Sequence, residues 1–112
     1  MITSFMMLVT AVSGQWSRDQ FLVRLNKAYE VIYSEPHRAI DLAMEAYRFA
    51  KKADDKWAMA IGHSGMAYIS YEVGDYEASY KNNIAALRTL KASDTTDLYN
   101  ETLILNHLAI IN

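Results

Sequence analysis

The residues in this sequence whose types could do chemistry are three histidines, thirteen carboxylates, several serines and eight tyrosines. His37, His63 and His107 share no His-x3-His spacing, and no Glu-x-x-His pair occurs, so nothing places two metal ligands on one helix face. With no cysteine in the chain, thiol nucleophiles, thiolate metal sites and disulfides are excluded. His63-Ser64-Gly65 lacks the Gly-x-Ser-x-Gly frame of a nucleophile elbow and reads as a small-residue helix segment. Neither a Gly-x4-Gly-Lys-Ser/Thr loop nor a Gly-x-Gly-x-x-Gly turn is present. Glu30, Asp41 and Glu72 fall within helical stretches as surface charge, not as an acid–base pair. The sequence therefore points away from an enzyme and implies no cofactor and no metal. The tyrosines remain, and their chemistry is that of binding: a large apolar ring with a polar tip.

The elements that must carry these residues are helices. Only one proline and four glycines interrupt the chain, and no period-two run of β-branched residues persists. Ser17 can cap a first helix, with Gln20 completing a capping box and an apolar stripe running from Phe21 to Ile32. The residue before Pro36 is pushed out of the α region, and Pro36 suits the first turn of a second helix. That helix carries the stripe Ala39, Ile40, Leu42, Ala43, Ala46, Tyr47 and Ala50, and ends at Lys51-Lys52. Asp54-Asp55 starts a third, which runs to Val73 and is stopped by Gly74 in a left-handed conformation. Asp75 caps a fourth. Residues 93–97 break the chain again, and a fifth helix follows from about Leu98. The short links predict antiparallel neighbours.

At 112 residues the chain makes one domain; 52% is apolar and 21% charged, enough to bury a core. Eleven basic residues against thirteen acidic ones give a net charge of −2, which argues against nucleic acid as a partner.

Small residues recur along the helices. Ala39 and Ser79, and Ala46 and Ala86, stand 40 residues apart; Ala28 and Ala67 stand 39 apart, Ala67 and Ala109 42 apart. A period near 40 made of two helices marks an α-solenoid, because close helix approach needs small side chains. Gly65-Met66-Ala67-Tyr68 followed by Gly74-Asp75-Tyr76-Glu77-Ala78 resembles the heart of a tetratricopeptide repeat. Leu108 to Asn112 is similar to the first helix of a following repeat, and Ser34 to Ile40 to the turn and second helix of a preceding one. The resemblance covers about Phe21 to Asn112. The period exceeds the family's usual ~34 residues, and Ser79 stands where the family carries alanine. It implies an all-α solenoid of antiparallel helix pairs, about five helices, that binds a protein or peptide. Extended repeats of this kind resemble the sensor regions of bacterial signalling proteins, in which a membrane helix and an output domain lie in other segments.

In that family first helices line a concave groove, so the resemblance implies partner contact by Tyr29, Tyr68, Tyr71 and Asn106. Tyr76 and Tyr80, on a second helix, read as rings that fill gaps between helices. The fifth helix carries Leu103, Ile104, Leu108, Ile110 and Ile111 on more than one face. A lone terminal helix cannot bury them all, and the expected consequence is either truncation at the C-terminus or self-association through Leu108 and Ile111.

Residues 1–14 form a separate unit. Ile2 to Val12 is apolar apart from Thr3, Ser4 and Thr10, and no charge precedes Arg18. The run is too short to span a bilayer, which takes about 20 residues, and has the length of a signal-peptide core. Val12 and Gly14 fit the −3 and −1 places of a cleavage site, leaving Gln15 as the mature start and an extracytoplasmic, periplasmic location. The alternative is an N-terminal apolar helix on a cytoplasmic adaptor with no sensing role. Residues 15–112 are then the repeat domain.

Overall fold

A computed structural model of the chain describes residues 15–111. The readings made for residues 1–14 lie outside the described residues. Five helices follow one another: α1 (Arg18–Glu30), α2 (Pro36–Lys52), α3 (Lys56–Glu72), α4 (Tyr76–Ala92) and α5 (Leu98–Ile111). No strand occurs among the described residues, so the fold is all-α.

The helix starts are set by short polar side chains. Ser17 Oγ accepts from Gln20 N (3.0 Å), Asp55 Oδ1 from Ala58 N (3.0 Å), Asp75 Oδ1 from Ala78 N (3.1 Å) and Asp97 Oδ1 from Asn100 N (3.0 Å). Each bond satisfies a backbone donor that the helix itself leaves free. Helix α2 has no side-chain cap; Pro36 starts it instead. Gly74 takes φ +87° after α3, as its place in the sequence predicts. Asp54 also adopts a left-handed conformation, φ 53°, between α2 and α3. Aspartate is one of the few residues besides glycine that does so routinely.

Each helix packs on its neighbours in sequence, and α1 also touches α3. Every fully buried position on α2 is an alanine: Ala39, Ala43, Ala46 and Ala50. This stripe lets α1 and α3 approach it closely, with Phe21, Leu25, Ile32, Ile61 and Ile69 filling the core around it. A second cluster forms where α3, α4 and α5 meet, from Ala60, Ala86, Leu90, Ile104 and Leu108. Ser79, fully buried, donates to the Ala67 carbonyl at 2.7 Å, which gives its hydroxyl a partner across α3 and α4.

Two packing expectations are corrected. Tyr76 and Tyr80 are 57% and 41% exposed, and Asn83 occupies the buried place on α4 instead. Leu108 is turned into the second cluster and is not free for a partner, because α5 uses Ile104 and Leu108 to pack on α4. No helix among the described residues is long and apolar enough to cross a membrane.

Candidate functional site

Alternate helices α1, α3 and α5 line an open cavity of about 620 Å³. The end of α1 contributes Tyr29, with Ile32 and Tyr33 from the turn that follows. Helix α3 contributes Ile61, Ser64 and Tyr68, spaced by three and four residues so that they share one face. Helix α5 contributes Asn100, Leu103, Asn106, His107 and Ile110 by the same rule. None of these eleven side chains is an aspartate, glutamate, lysine or arginine. A shallower depression of about 350 Å³ at Leu22, Val23 and Asn26 shares Tyr29 and Ile61 with the cavity and extends it along α1.

The aromatic wall is ordered by a close helix approach. Gly65 of α3 faces α1, and a Cβ there would lie 2.8 Å from both Leu25 Cδ1 and Tyr29 Oη. The absence of a side chain at Gly65 therefore seats the hydroxyl end of Tyr29 over α3. Tyr29 meets Tyr68 edge-on, with ring centroids 5.9 Å apart at 81°. Burial, with a smaller contribution from Tyr68, pushes the Tyr29 hydroxyl up to about 12. Tyr33 stands at the rim and donates to Glu72 Oε2 at 3.1 Å. The neighbouring Tyr68 hydroxyl and Glu72 carboxylate push Tyr33 up to about 12. Tyr29 and Tyr33 are thus neutral donors at any physiological pH.

His107 lies between the cavity and the α4–α5 contact. Its Nδ1 is 2.9 Å from Asn83 Nδ2; with that amide donating, the ring proton sits on Nε2. Asn83 Oδ1 and His107 Nε2 are buried without a hydrogen-bond partner in the protein. Desolvation holds His107 below the usual histidine range, against an opposing pull from Glu72. The imidazole is therefore neutral near pH 7 and has no carboxylate or serine bonded to it.

Of the sequence-predicted contacts, Tyr29, Tyr68 and Asn106 line the cavity together. Tyr71 does not. Its ring packs on Tyr76 (5.3 Å) and edge-on to His107 (5.0 Å), behind the cavity wall. Sequence reasoning missed Tyr33, Ile61, Leu103 and Ile110. The signal for the α5 residues was present in the Leu103, Asn106, Ile110 spacing, but every face of that helix is apolar.

The other large depression, about 470 Å³, lies at the loop end of the bundle and includes Trp16, Arg18, Asp55 and Asp94. Of its two cations, Lys56 lies 4.0 Å from Asp54 Oδ1 and Arg18 is fully engaged. Arg18 donates from Nε to Asp55 Oδ2 (2.8 Å), and from Nη2 to Asp55 Oδ1 (3.2 Å) and Thr95 Oγ1 (3.0 Å). The guanidinium also lies 4.7 Å from the Trp57 ring, and Trp57 Nε1 donates to Asp97 Oδ2 at 2.8 Å. This network ties the start of α1 to the α2–α3 and α4–α5 links. Burial raises the Asp55 carboxyl, but the hydrogen bonds from Arg18 and Ala58 outweigh it and hold Asp55 below its usual range. Among the described residues, no three histidine, aspartate or glutamate side chains are grouped to hold a metal.

No family model matches the chain, and neither a curated protein nor a solved structure matches it.

Proposed function

We propose that this chain is a tetratricopeptide-like repeat scaffold that holds an uncharged, largely apolar segment of a protein or peptide in the α1–α3–α5 cavity. The observation that carries the reading is the lining: eleven side chains from three alternate helices and the turn after the first of them, none with a formal charge at pH 7, in a chain that is 21% charged. A cavity of 620 Å³ falls within the usual range for ligand sites, ~300–1,000 Å³. Its tyrosine hydroxyls and asparagine amides supply hydrogen bonds at the edge of an apolar floor. An occupant with a charge at its centre would lose hydration and gain no counter-ion.

Several contacts favour the repeat architecture. Tyr47 meets Gly62 across the α2–α3 link, and His63 meets Asn82 as Ala67 meets Ser79 across the α3–α4 link. Pairs nested around a link in this way are those of antiparallel helices. Ala46 and Ala86 are both fully buried, as are Ala39 and Ser79, in keeping with equivalent places in a repeat. A sensing role in a longer signalling protein follows from the resemblance in sequence alone.

Selection from a random peptide library on the immobilised chain tests the reading. Enriched peptides should share an apolar, uncharged core. Their affinity should fall at least tenfold on Leu103→Lys, a residue of the lining that is 45% exposed. Enrichment of acidic or basic cores, or equal binding by a folded Leu103→Lys protein, would overturn it.

A further inference from the structure

The cavity is continued by a track that leads back toward the start of α1. The shallower depression shares Tyr29 and Ile61 with the cavity and runs past Asn26 to Leu22 and Val23, which are 41% and 51% exposed. No charged side chain lines it. Leu22 lies four residues after Arg18, the first residue of α1, and seven after Gln15, where the described chain begins. Cavity and depression together thus form one uncharged groove that reaches close to the point where residues 1–14 join the domain.

Those residues match the groove in chemistry and in reach. Met1 to Ser17 are seventeen consecutive residues without an aspartate, glutamate, lysine or arginine, in a chain that is 21% charged. The other long uncharged runs, residues 57–71 and 102–111, are already built into α3 and α5. Residues 1–14 are therefore the uncharged run of this chain that lies outside the described helices, and Ile2, Phe5, Met6, Leu8 and Val9 give it the apolar side chains that the groove is lined to receive. From Arg18 to Tyr29, α1 rises about 16 Å. Residues 2–12 cover about 16 Å if helical and about 36 Å if extended, so a segment turned back along α1 reaches the level of Tyr29 in either form.

We propose that residues 1–14 turn back along α1 and occupy the α1–α3–α5 cavity, so that a partner binds only by displacing them. The proposal rests on the cavity reading above and adds its regulation; it takes residues 1–14 as the retained apolar segment, not as a cleaved leader. Only Gln15, Trp16 and Ser17 separate the segment from α1, and so short a tether holds it at an effective concentration of roughly 1 mM. At that concentration an intrinsic dissociation constant of about 0.1 mM leaves about a tenth of the molecules open, and a partner's apparent affinity falls about tenfold. An untethered peptide has no such advantage.

Paramagnetic relaxation in the full, uncleaved chain tests the proposal, because a chain without cysteine takes a single nitroxide wherever one is introduced. A label on Ser4→Cys should broaden the methyls of Ile32, Leu103 and Ile110 and spare that of Met44, which is exposed on α2. A label on Ser13→Cys should act most strongly on Leu22 and Val23. Adding Phe5→Asp and Leu8→Asp should relieve the broadening in the cavity and raise the affinity of a library-selected, uncharged peptide about tenfold. Broadening confined to the start of α1, or unchanged by Phe5→Asp and Leu8→Asp, overturns the proposal. So does broadening seen only when labelled chain is mixed with isotope-labelled chain, since a second copy would then supply the segment. Protein recovered from cells with Gln15 as its first residue overturns it as well. A peptide that binds the parent and the Phe5→Asp, Leu8→Asp protein equally removes the regulation and leaves the cavity as a partner site. Broadening in the cavity with no peptide bound by either protein supports the segment's place there and removes the partner reading instead.

Discussion

Replacing Ala86 by leucine should damage the junction of α3, α4 and α5 more than any surface change on the same helix. Ala86 is fully buried, with Ala60, Leu90, Ile104 and Leu108 around it. Leucine adds three heavy atoms at a point where two helices already press on α4. The extra volume can be admitted only by off-rotamer side chains or by moving a helix, which costs about 1–3 kcal/mol. For a domain of this size each kcal/mol is worth roughly 4–8 °C in Tm, so a loss near 2 kcal/mol lowers melting by about 8–16 °C. Arg88, two residues further along, is exposed, and Arg88→Leu should stay within about 0.5 kcal/mol of the parent. Ala46→Leu, at the corresponding place on α2 in the alanine stripe, should behave like Ala86→Leu and not like Arg88→Leu. Thermal melts followed by circular dichroism at 222 nm give all four values. An Ala86→Leu protein that melts with the parent, or one indistinguishable from Arg88→Leu, refutes the close packing assigned to this junction and the equivalence of residues 46 and 86.

Two further outcomes follow from the polar contacts. His63 and His107 are both held low, chiefly by burial, although Asn82 and Glu72 pull the other way. Their folded values lie below the unfolded value of about 6.5. The unfolded chain therefore binds more protons in that window, and the stability present above about pH 6.5 is lost as pH falls. Asp55, also held low, adds a further loss as pH falls below about 4 and on through its folded value. Urea midpoints should decline from pH 7 to pH 5, and a His63→Gln, His107→Gln protein should show a flatter decline; an unchanged slope would refute the assignment. Asp55→Ala removes the α3 cap and the partner of Arg18, and should cost about 1–2 kcal/mol, mostly through the cap because Arg18 is 41% exposed. Asp75→Ala removes only an exposed cap and should cost less; urea unfolding of the two side by side checks the order.

Much of the fold was legible because short-range chemistry sets it. Ser17, Pro36, Gly74 and Asp75 each act within one helical turn, and each does in the structure what its type and place imply. The alanine stripe of α2 was legible for the same reason, since α2 has one strongly apolar side. Helix α5 was not. Its apolar residues surround it, so periodicity does not say which of Leu103, Ile104, Leu105 and Leu108 faces α4; only the position of α4 decides that Ile104 and Leu108 are buried. The same holds for the cavity. Tyr29 and Tyr68 were found through their place on first helices, but Tyr71 differs from Tyr68 by three residues, and that rotation moves its ring behind the wall to His107. Tyr33 lies outside any helix, where no periodicity applies, and reaches the rim through the turn after α1.

The cavity can be tested directly by methyl NMR. Titration of the full chain with a library-selected, uncharged peptide should shift the methyls of Ile32, Ile61, Leu103 and Ile110 together, from three elements distant in sequence. The methyls of Leu98, Leu105 and Ala109, on the other open face of α5, should not move with them. Shifts confined to that second face, or to the exposed Val73 at the end of α3, would contradict a partner site between α1, α3 and α5.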